Sequence, residues 1–362
     1  LGFPISMDYS RLIMVKINTI ATKTPEYTST TTETIPYIKK WLADEDERFQ
    51  RKIIKIFEGA QVDRRYAIMP PEDVFTPTSF EDKNEIYKSA AQKLGKSVLE
   101  KALQQANWPA DSLDYIITVS CTGIMIPSLD AYLINAINLR QDIVRLPVTE
   151  MGCVGGVSGM IYAKQFLQSQ PGKRAAVLAF EAPTATLQHE DKSMANMVSA
   201  AIFGDGAACV LMSSEEDSQG AEVVGEQMYH FYDKTRMMGF DLKNSGLQMV
   251  LDVEVPETIA DHFPDIIHPF LKRYDLSISD VEHLIFHPGG RKIIQTVDEL
   301  FGKLGKNIDA TRGVLRDYGN MSSATVLFVL SQIIQEEPKT GEYGLMLSFG
   351  PGFTAQRLLL RF

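Results

Sequence analysis

Tyr115–Cys121, YIITVSC, is a short apolar run that ends on a thiol, and His283–His287, HLIFH, is a second one that ends on an imidazole. Runs of this length, rich in aliphatic and β-branched residues, read as buried strands. After the first run the sequence predicts a helix from Gly152-Cys153 to about Gln168, then strands over Ala175–Phe180 and Ala207–Met212. After the second it predicts a helix from Gly319-Asn320 to about Gln335, then strands over Gly344–Phe349 and Thr354–Phe362. The spacing agrees: 32 residues separate Cys121 from Cys153, and 33 separate His287 from Asn320. The chain thus reads as one α/β pattern written twice, in halves 1–213 and 221–362 joined by the polar, acidic Ser213–Gly220, SSEEDSQG.

Composition narrows the class. With 362 residues, 44% apolar, the chain can bury a large core. A net charge of −10 excludes a general nucleic-acid binder, which needs a basic surface. Three cysteines without a CxxC pair indicate neither a disulfide scaffold nor a metal site, so a reducing compartment and a cytoplasmic location are expected. The apolar stretch Leu12–Ile20 is interrupted by Lys16 and Asn18, and no run of 18 apolar residues exists to span a membrane. Leu1 in place of Met is consistent with a trimmed start or with preceding residues.

Pseudo-twofold packing of the two copies would bring Cys121, Cys153, His287 and Asn320 into one cavity. Cys153 lies in MGCVGG (151–156), at an expected helix start whose free N–H groups lower a thiol's pKa. The same glycines would also suit a helix packed tightly on its neighbour. His287 precedes Pro288-Gly289-Gly290, which end the strand; an imidazolium there would hold a Cys153 thiolate or donate to a developing oxyanion. Asn320, in YGNMSSA (318–324), can cap a helix or donate its amide to a thioester oxygen. Cys121 has no base in its sequence surroundings, so an ordinary thiol is expected there. Arg48, Arg51, Lys52 and Lys55 share one face of an apparent helix, either a solvated surface or a phosphate site.

Five segments in order, MGCVGG (151–156), FGDGAA (203–208), HPGG (287–290), GNMSSA (319–324) and FGPGF (349–353), resemble the type III polyketide synthases, the chalcone and stilbene synthase-like family, over about residues 10 to 362. The resemblance implies a thiolase fold, five-layered αβαβα from two pseudo-symmetric halves. It further implies a homodimer that uses acyl-CoA and malonyl-CoA, with no carrier protein, no dissociable cofactor and no metal.

In that scheme Cys153 holds the starter acyl group, while His287 and Asn320 polarise the malonyl thioester for decarboxylative condensation and the chain cyclises in the same cavity. Phe203 would be the gate between the CoA tunnel and the cavity. Cys121, Ile126, Met249 and Ser322 would line the pocket, and Gly350-Pro351-Gly352 would form the cyclisation scaffold. The basic face would bind CoA. The chain departs from the family at Ser348, where Gly is usual, and at Met249, where plant members carry a second gate Phe. The segment after Cys121 resembles bacterial members, including synthases that make tetrahydroxynaphthalene or phloroglucinol from malonyl-CoA alone. Alternative readings are a ketoacyl synthase III-like initiation enzyme, a long-chain alkylpyrone or alkylresorcinol synthase, and a catalytically silent partner subunit.

Overall fold

The computed structural model describes residues 13–362. The first twelve residues of the N-terminal half, as delimited from the sequence, lie outside the described residues. The first half contains β1 (Lys16–Lys23), β2 (Tyr27–Thr30), α1 (Thr31–Trp41), α2 (Glu47–Glu58), β3 (Arg64–Ala67), α3 (Pro71–Val74) and α4 (Phe80–Ala106). It continues with β4 (Tyr115–Val119), α5 (Leu129–Ile137), β5 (Val144–Val148), α6 (Gly155–Ser169), β6 (Arg174–Glu181), α7 (Met194–Ile202) and β7 (Gly206–Ser213). The second half contains β8 (Ala221–His230), β9 (Met238–Lys243), β10 (Gly246–Leu251), α8 (Val255–Lys272) and β11 (Val281–Phe286). It ends with α9 (Arg291–Gly302), α10 (Asp309–Tyr318), α11 (Thr325–Gln335), β12 (Tyr343–Gly350) and β13 (Thr354–Arg361).

Sheet order displays the duplication. The nine-stranded sheet runs β11-β12-β13-β8-β1-β7-β6-β4-β5, so each half lays down the same sequence of neighbours outward from a central seam. β4 is parallel to β6 and β6 antiparallel to β7; likewise β11 is parallel to β12 and β12 antiparallel to β13. The seam between the halves is short, with Lys16 opposite Glu222 and Ile17 opposite Ala221.

Side-chain alternation along the strands builds the layers. From β6, Ala175, Val177 and Ala179 face the central core, while Ala176, Leu178 and Phe180 face the core that includes α4 and α5. From β12, Met346 faces the central core, while Leu345, Leu347 and Phe349 face the core of α8 and α9. Helices α6 and α11 are therefore buried between the two halves of the sheet, with helices outside each half, in the five-layered thiolase arrangement. Their close approach explains the small residues of α6: a Cβ on Gly156 would lie 2.3 Å from the Ser323 carbonyl oxygen.

The helix starts differ from expectation in a way that changes the equivalences. A 3₁₀ turn over Gly152–Val154 precedes α6, and a matching turn over Ser322–Ala324 precedes α11. Element by element, Cys153 therefore corresponds to Ser323, and Gly152 (φ +52°) corresponds to Ser322 (φ +48°). Asn320 lies before that turn, in an isolated parallel bridge with Phe203. Its N–H donates to the Ile202 carbonyl at 2.7 Å, which holds the segment extended and delays the helix.

Candidate active site

Cys153 sits in a turn braced by the end of the second half. The left-handed φ of Gly152 suits glycine, and a Cβ there would come within 2.5 Å of the Pro351 ring. Ser348 Oγ donates to the Cys153 carbonyl at 2.7 Å. Burial pushes the isolated Cys153 thiol up to about 12, the opposite direction to that expected from a helix start alone.

His287 directly follows β11, and its backbone N–H donates to the Leu347 carbonyl at 3.0 Å. The ring is 3% exposed, and neither Nδ1 nor Nε2 has a hydrogen-bond partner. Burial pushes it down to about 3. Burial thus disfavours the charged form of each group taken alone.

Asn320 is fixed by its oxygen. Oδ1 accepts from the Ser322 N–H at 2.8 Å and from Thr325 Oγ1 at 3.3 Å, a local turn that holds Ser322 at positive φ and leaves the amide N–H groups to donate. Ser322 Oγ in turn stands 3.6 Å from Cys153 Sγ and 3.3 Å from Cys121 Sγ, so one hydroxyl touches both thiols.

Cys121 is not an ordinary thiol. Burial first, then the neighbouring Glu181 carboxylate, push it well above the usual range. Glu181 went unrecognised in the sequence, 60 residues from Cys121, because nothing local marks it. At the end of β6, its Oε2 accepts from the Cys121 N–H at 3.0 Å and Thr122 Oγ1 at 2.7 Å, and its Oε1 accepts from Ser323 Oγ at 2.5 Å. Its own carboxyl is raised, chiefly by burial. Asp205 of the FGDGAA segment is a second buried acid, held at about 7 by burial and bonded to Thr184 and the Ile68 N–H.

Cys121, Cys153, His287, Asn320 and Ser322 line one cavity. Phe203, Met249 and Pro351 line it too, together with Met238 and Phe240 from β9. Ile126 is 92% exposed on the loop before α5 and is not among the residues that line this cavity. Gly350 and Gly352 lie behind the wall: Gly350 packs on Val154, and Gly352 supplies the left-handed turn residue (φ +73°). Phe203 lines the cavity beside Ile202, and a neighbouring surface groove shares Ile202, Leu251, Gly289 and Ile293 with it.

The groove is lined by Arg48, Arg51, Lys52 and Lys55 from α2. Asp46 Oδ1 caps α2 through the Arg48 and Phe49 N–H groups, and the helix buries Ile53 and Phe57 while leaving its four cations outside. Arg291 and Lys292 add to the same groove from across the molecule, in a position the HPGG reading stopped just short of.

Residues 14–216 match the chalcone and stilbene synthases, N-terminal domain, and residues 226–362 match their C-terminal domain. The chain is 32% identical over 312 residues to 1,3,6,8-tetrahydroxynaphthalene synthase of Streptomyces peucetius subsp. caesius, covering 85% of this chain and 82% of that one. It is 25% identical over 332 residues to phloroglucinol synthase of Pseudomonas fluorescens, covering 92% and 95%. Among solved structures, 1,3,6,8-tetrahydroxynaphthalene synthase of Streptomyces coelicolor, a bacterial type III polyketide synthase, superposes with a TM-score of 0.90 at 27% identity, covering 96% and 99%. The C-terminal type III domain of Dictyostelium Steely1 shares the fold, with a TM-score of 0.90 at 24% identity over 96% and 99% of the two chains.

Proposed function

This chain belongs to the chalcone and stilbene synthase family and is a type III polyketide synthase, an acyltransferase that condenses malonyl-CoA onto an acyl-CoA starter and cyclises the product; from that premise we propose the following residue roles. The Cys153 thiolate, formed by proton transfer to His287, attacks the starter thioester carbonyl. CoA leaves as its thiol with that proton, and the acyl group stays on sulfur. A malonyl thioester then enters with its carbonyl oxygen against the N–H groups of His287 and Asn320. Carbon dioxide departs, and the enolate so formed attacks the acyl carbonyl. Cys153 leaves as the thiolate, and the chain returns to it from CoA for each further round.

The observation that carries this reading is the pair of unsatisfied nitrogens on His287. Buried polar atoms in folded proteins are overwhelmingly hydrogen-bonded, so an imidazole left bare on the cavity wall is a group awaiting a ligand. The α2 cations, with Arg291 and Lys292, suit the phosphates of CoA in a protein whose net charge would otherwise repel them. Malonyl-CoA is also a candidate starter, because relatives are named as synthases of tetrahydroxynaphthalene, phloroglucinol and 3,5-dihydroxyphenylacetyl-CoA. The product we propose is an aromatic polyphenol or a pyrone. A homodimer, a cytoplasmic location and independence from dissociable cofactors and metals complete the proposal.

The test is purified protein with malonyl-CoA as sole substrate, without carrier protein or added metal. CoA release and a cyclised product by mass spectrometry are expected. Absence of decarboxylation with malonyl-CoA and with every acyl-CoA starter tried would overturn the reading. Light scattering on the same sample tests the dimer.

A further inference from the structure

The wall of the catalytic cavity carries hydroxyl side chains at Thr122, Ser199 and Ser322, and they differ in what they are bonded to. Thr122 Oγ1 donates to Glu181 at 2.7 Å and accepts from the Ala182 N–H at 2.8 Å, so it is engaged on both sides. Ser322 Oγ stands between the two thiols. Ser199 Oγ has no partner, although the residue is only 4% exposed. Among the described residues that line this cavity, only Ser199 and His287 hold buried side-chain polar atoms left without a hydrogen bond. A buried hydroxyl without a partner is unfavourable in the empty protein and is satisfied when a ligand supplies the acceptor.

Ser199 is also held in a fixed relation to the catalytic residues. Its helix, α7, starts at a Ser193 cap that accepts from the Asn196 N–H, and the end of α7 presents Ser199, Ile202 and Phe203 to the cavity at i, i+3 and i+4. The Phe203 N–H donates to the Ser199 carbonyl at 2.9 Å, and the Ile202 carbonyl accepts from the Asn320 N–H at 2.7 Å. The serine therefore sits one helical turn, about 5.4 Å of rise, from the bridge that fixes Asn320.

We propose that Ser199 is a specificity-determining residue whose hydroxyl donates to an interior ketone oxygen of the growing chain and so fixes the fold from which the ring closes. The inference rests on the polyketide synthase reading above and adds to it a second point of attachment. Cys153, His287 and Asn320 hold the thioester end. The rest of the chain is a linear poly-β-ketone, with an oxygen on every second carbon and, in its keto form, no donor of its own. Beside Ser199 the wall is Ile202, Phe203 and Met249, which offer such a chain contact but no hydrogen bond. One donor at a fixed distance from the thioester selects which ketone is held, and hence which carbons face each other.

The experiment supplies malonyl-CoA as sole substrate and measures carbon dioxide released, every polyketide product by mass spectrometry, and the melting temperature. The quantity compared is the ratio of the wild-type main product to all other polyketides, at equal carbon dioxide released. Ser199→Ala should lower that ratio by about five- to tenfold, the scale of one neutral hydrogen bond, without lowering the melting temperature, because no bond within the protein is lost. Ser199→Cys, of similar shape but a weak donor, should follow Ser199→Ala, and Ser199→Thr, which keeps the hydroxyl, should restore the ratio. If Ser199→Thr fails to fold, agreement between the Ala and Cys variants still separates loss of the donor from loss of volume. An unchanged ratio in folded Ser199→Ala would overturn the proposal. So would a lower melting temperature at constant ratio, which makes the hydroxyl structural, or a ratio that falls in Ser199→Ala and not in Ser199→Cys, which makes the effect one of volume. If wild-type protein releases no carbon dioxide, the enzyme reading itself fails and this proposal falls with it.

Discussion

The two halves place different chemistry at matching points. In the first half the strand end after β4 is saturated: the Cys121 N–H, Thr122 and Ser323 all converge on Glu181. In the second half the strand end after β11 carries His287 with both ring nitrogens bare. One strand end has its polar groups closed, with Ser323 of the second half completing the set; the other leaves the His287 nitrogens open to the cavity. Duplication supplied the geometry, and divergence in hydrogen bonding divided the labour.

The largest effect should come from the thiol on which the two halves converge. Cys153→Ala is expected to remove product formation by on the order of 10⁴-fold or more, the scale of losing a covalent nucleophile, with an unchanged melting temperature. Multi-turnover condensation by the folded variant would break the comparison at its root.

Opening the second half's site should cost less. His287→Ala and Asn320→Ala should each slow malonyl-CoA decarboxylation by about 100- to 1000-fold, as for loss of one oxyanion donor. His287→Ala should also shift the pH profile of Cys153 alkylation upward, because the thiol then keeps its burial-raised value with no imidazole to take the proton. An unmoved profile would show that the thiolate does not depend on His287.

In the first half, Glu181→Ala strands several buried donors and should destabilise the fold by about 1–3 kcal/mol in urea denaturation. It should also bring Cys121 nearer the ordinary thiol range, since Glu181 is among the causes of its raised value. Peptide mapping after alkylation measures the gain in Cys121 labelling.

The halves should also respond oppositely to pH. Asp205 is raised from 3.8 to about 7, so its contribution to stability is full below the lower value and is lost as pH rises through the upper one. His287 is lowered from 6.5 to about 3, so its contribution is full above the upper value and is lost as pH falls toward the lower one. Asp205→Asn should flatten the loss of stability as pH rises from about 4 to about 7, and His287→Ala the loss as pH falls from 6.5 to about 3, in denaturant midpoints; slopes identical to wild type would refute both assignments.

The smallest effect is expected at Ser348→Gly, which restores the residue usual in the family. It removes one hydrogen bond to the nucleophile's carbonyl, worth about 0.5–1.5 kcal/mol, so starter loading should slow only several-fold. Rates equal to wild type in rapid-quench loading would mean that the Pro351 contact alone braces the turn.

Short continuous apolar runs marked β4, β6, β11 and β12, and the spacing between reactive residues exposed the duplication, because burial on both faces forces continuous apolar strands whatever else the chain does. The identities Cys153, His287 and Asn320 were legible for the same local reason: each follows or precedes a strong structural punctuation mark. What the local signals could not reveal was register at the helix starts. The bridge between Asn320 and Phe203 and the 3₁₀ turns moved Cys153 opposite Ser323, and both depend on segments more than a hundred residues apart. Glu181, the exposure of Ile126 and the bare nitrogens of His287 were likewise decided only by the packed fold. Strand periodicity is a property of neighbours along the chain. Desolvation, hydrogen-bond satisfaction and the merging of cavities are properties of neighbours in space, and only the tertiary structure fixes those.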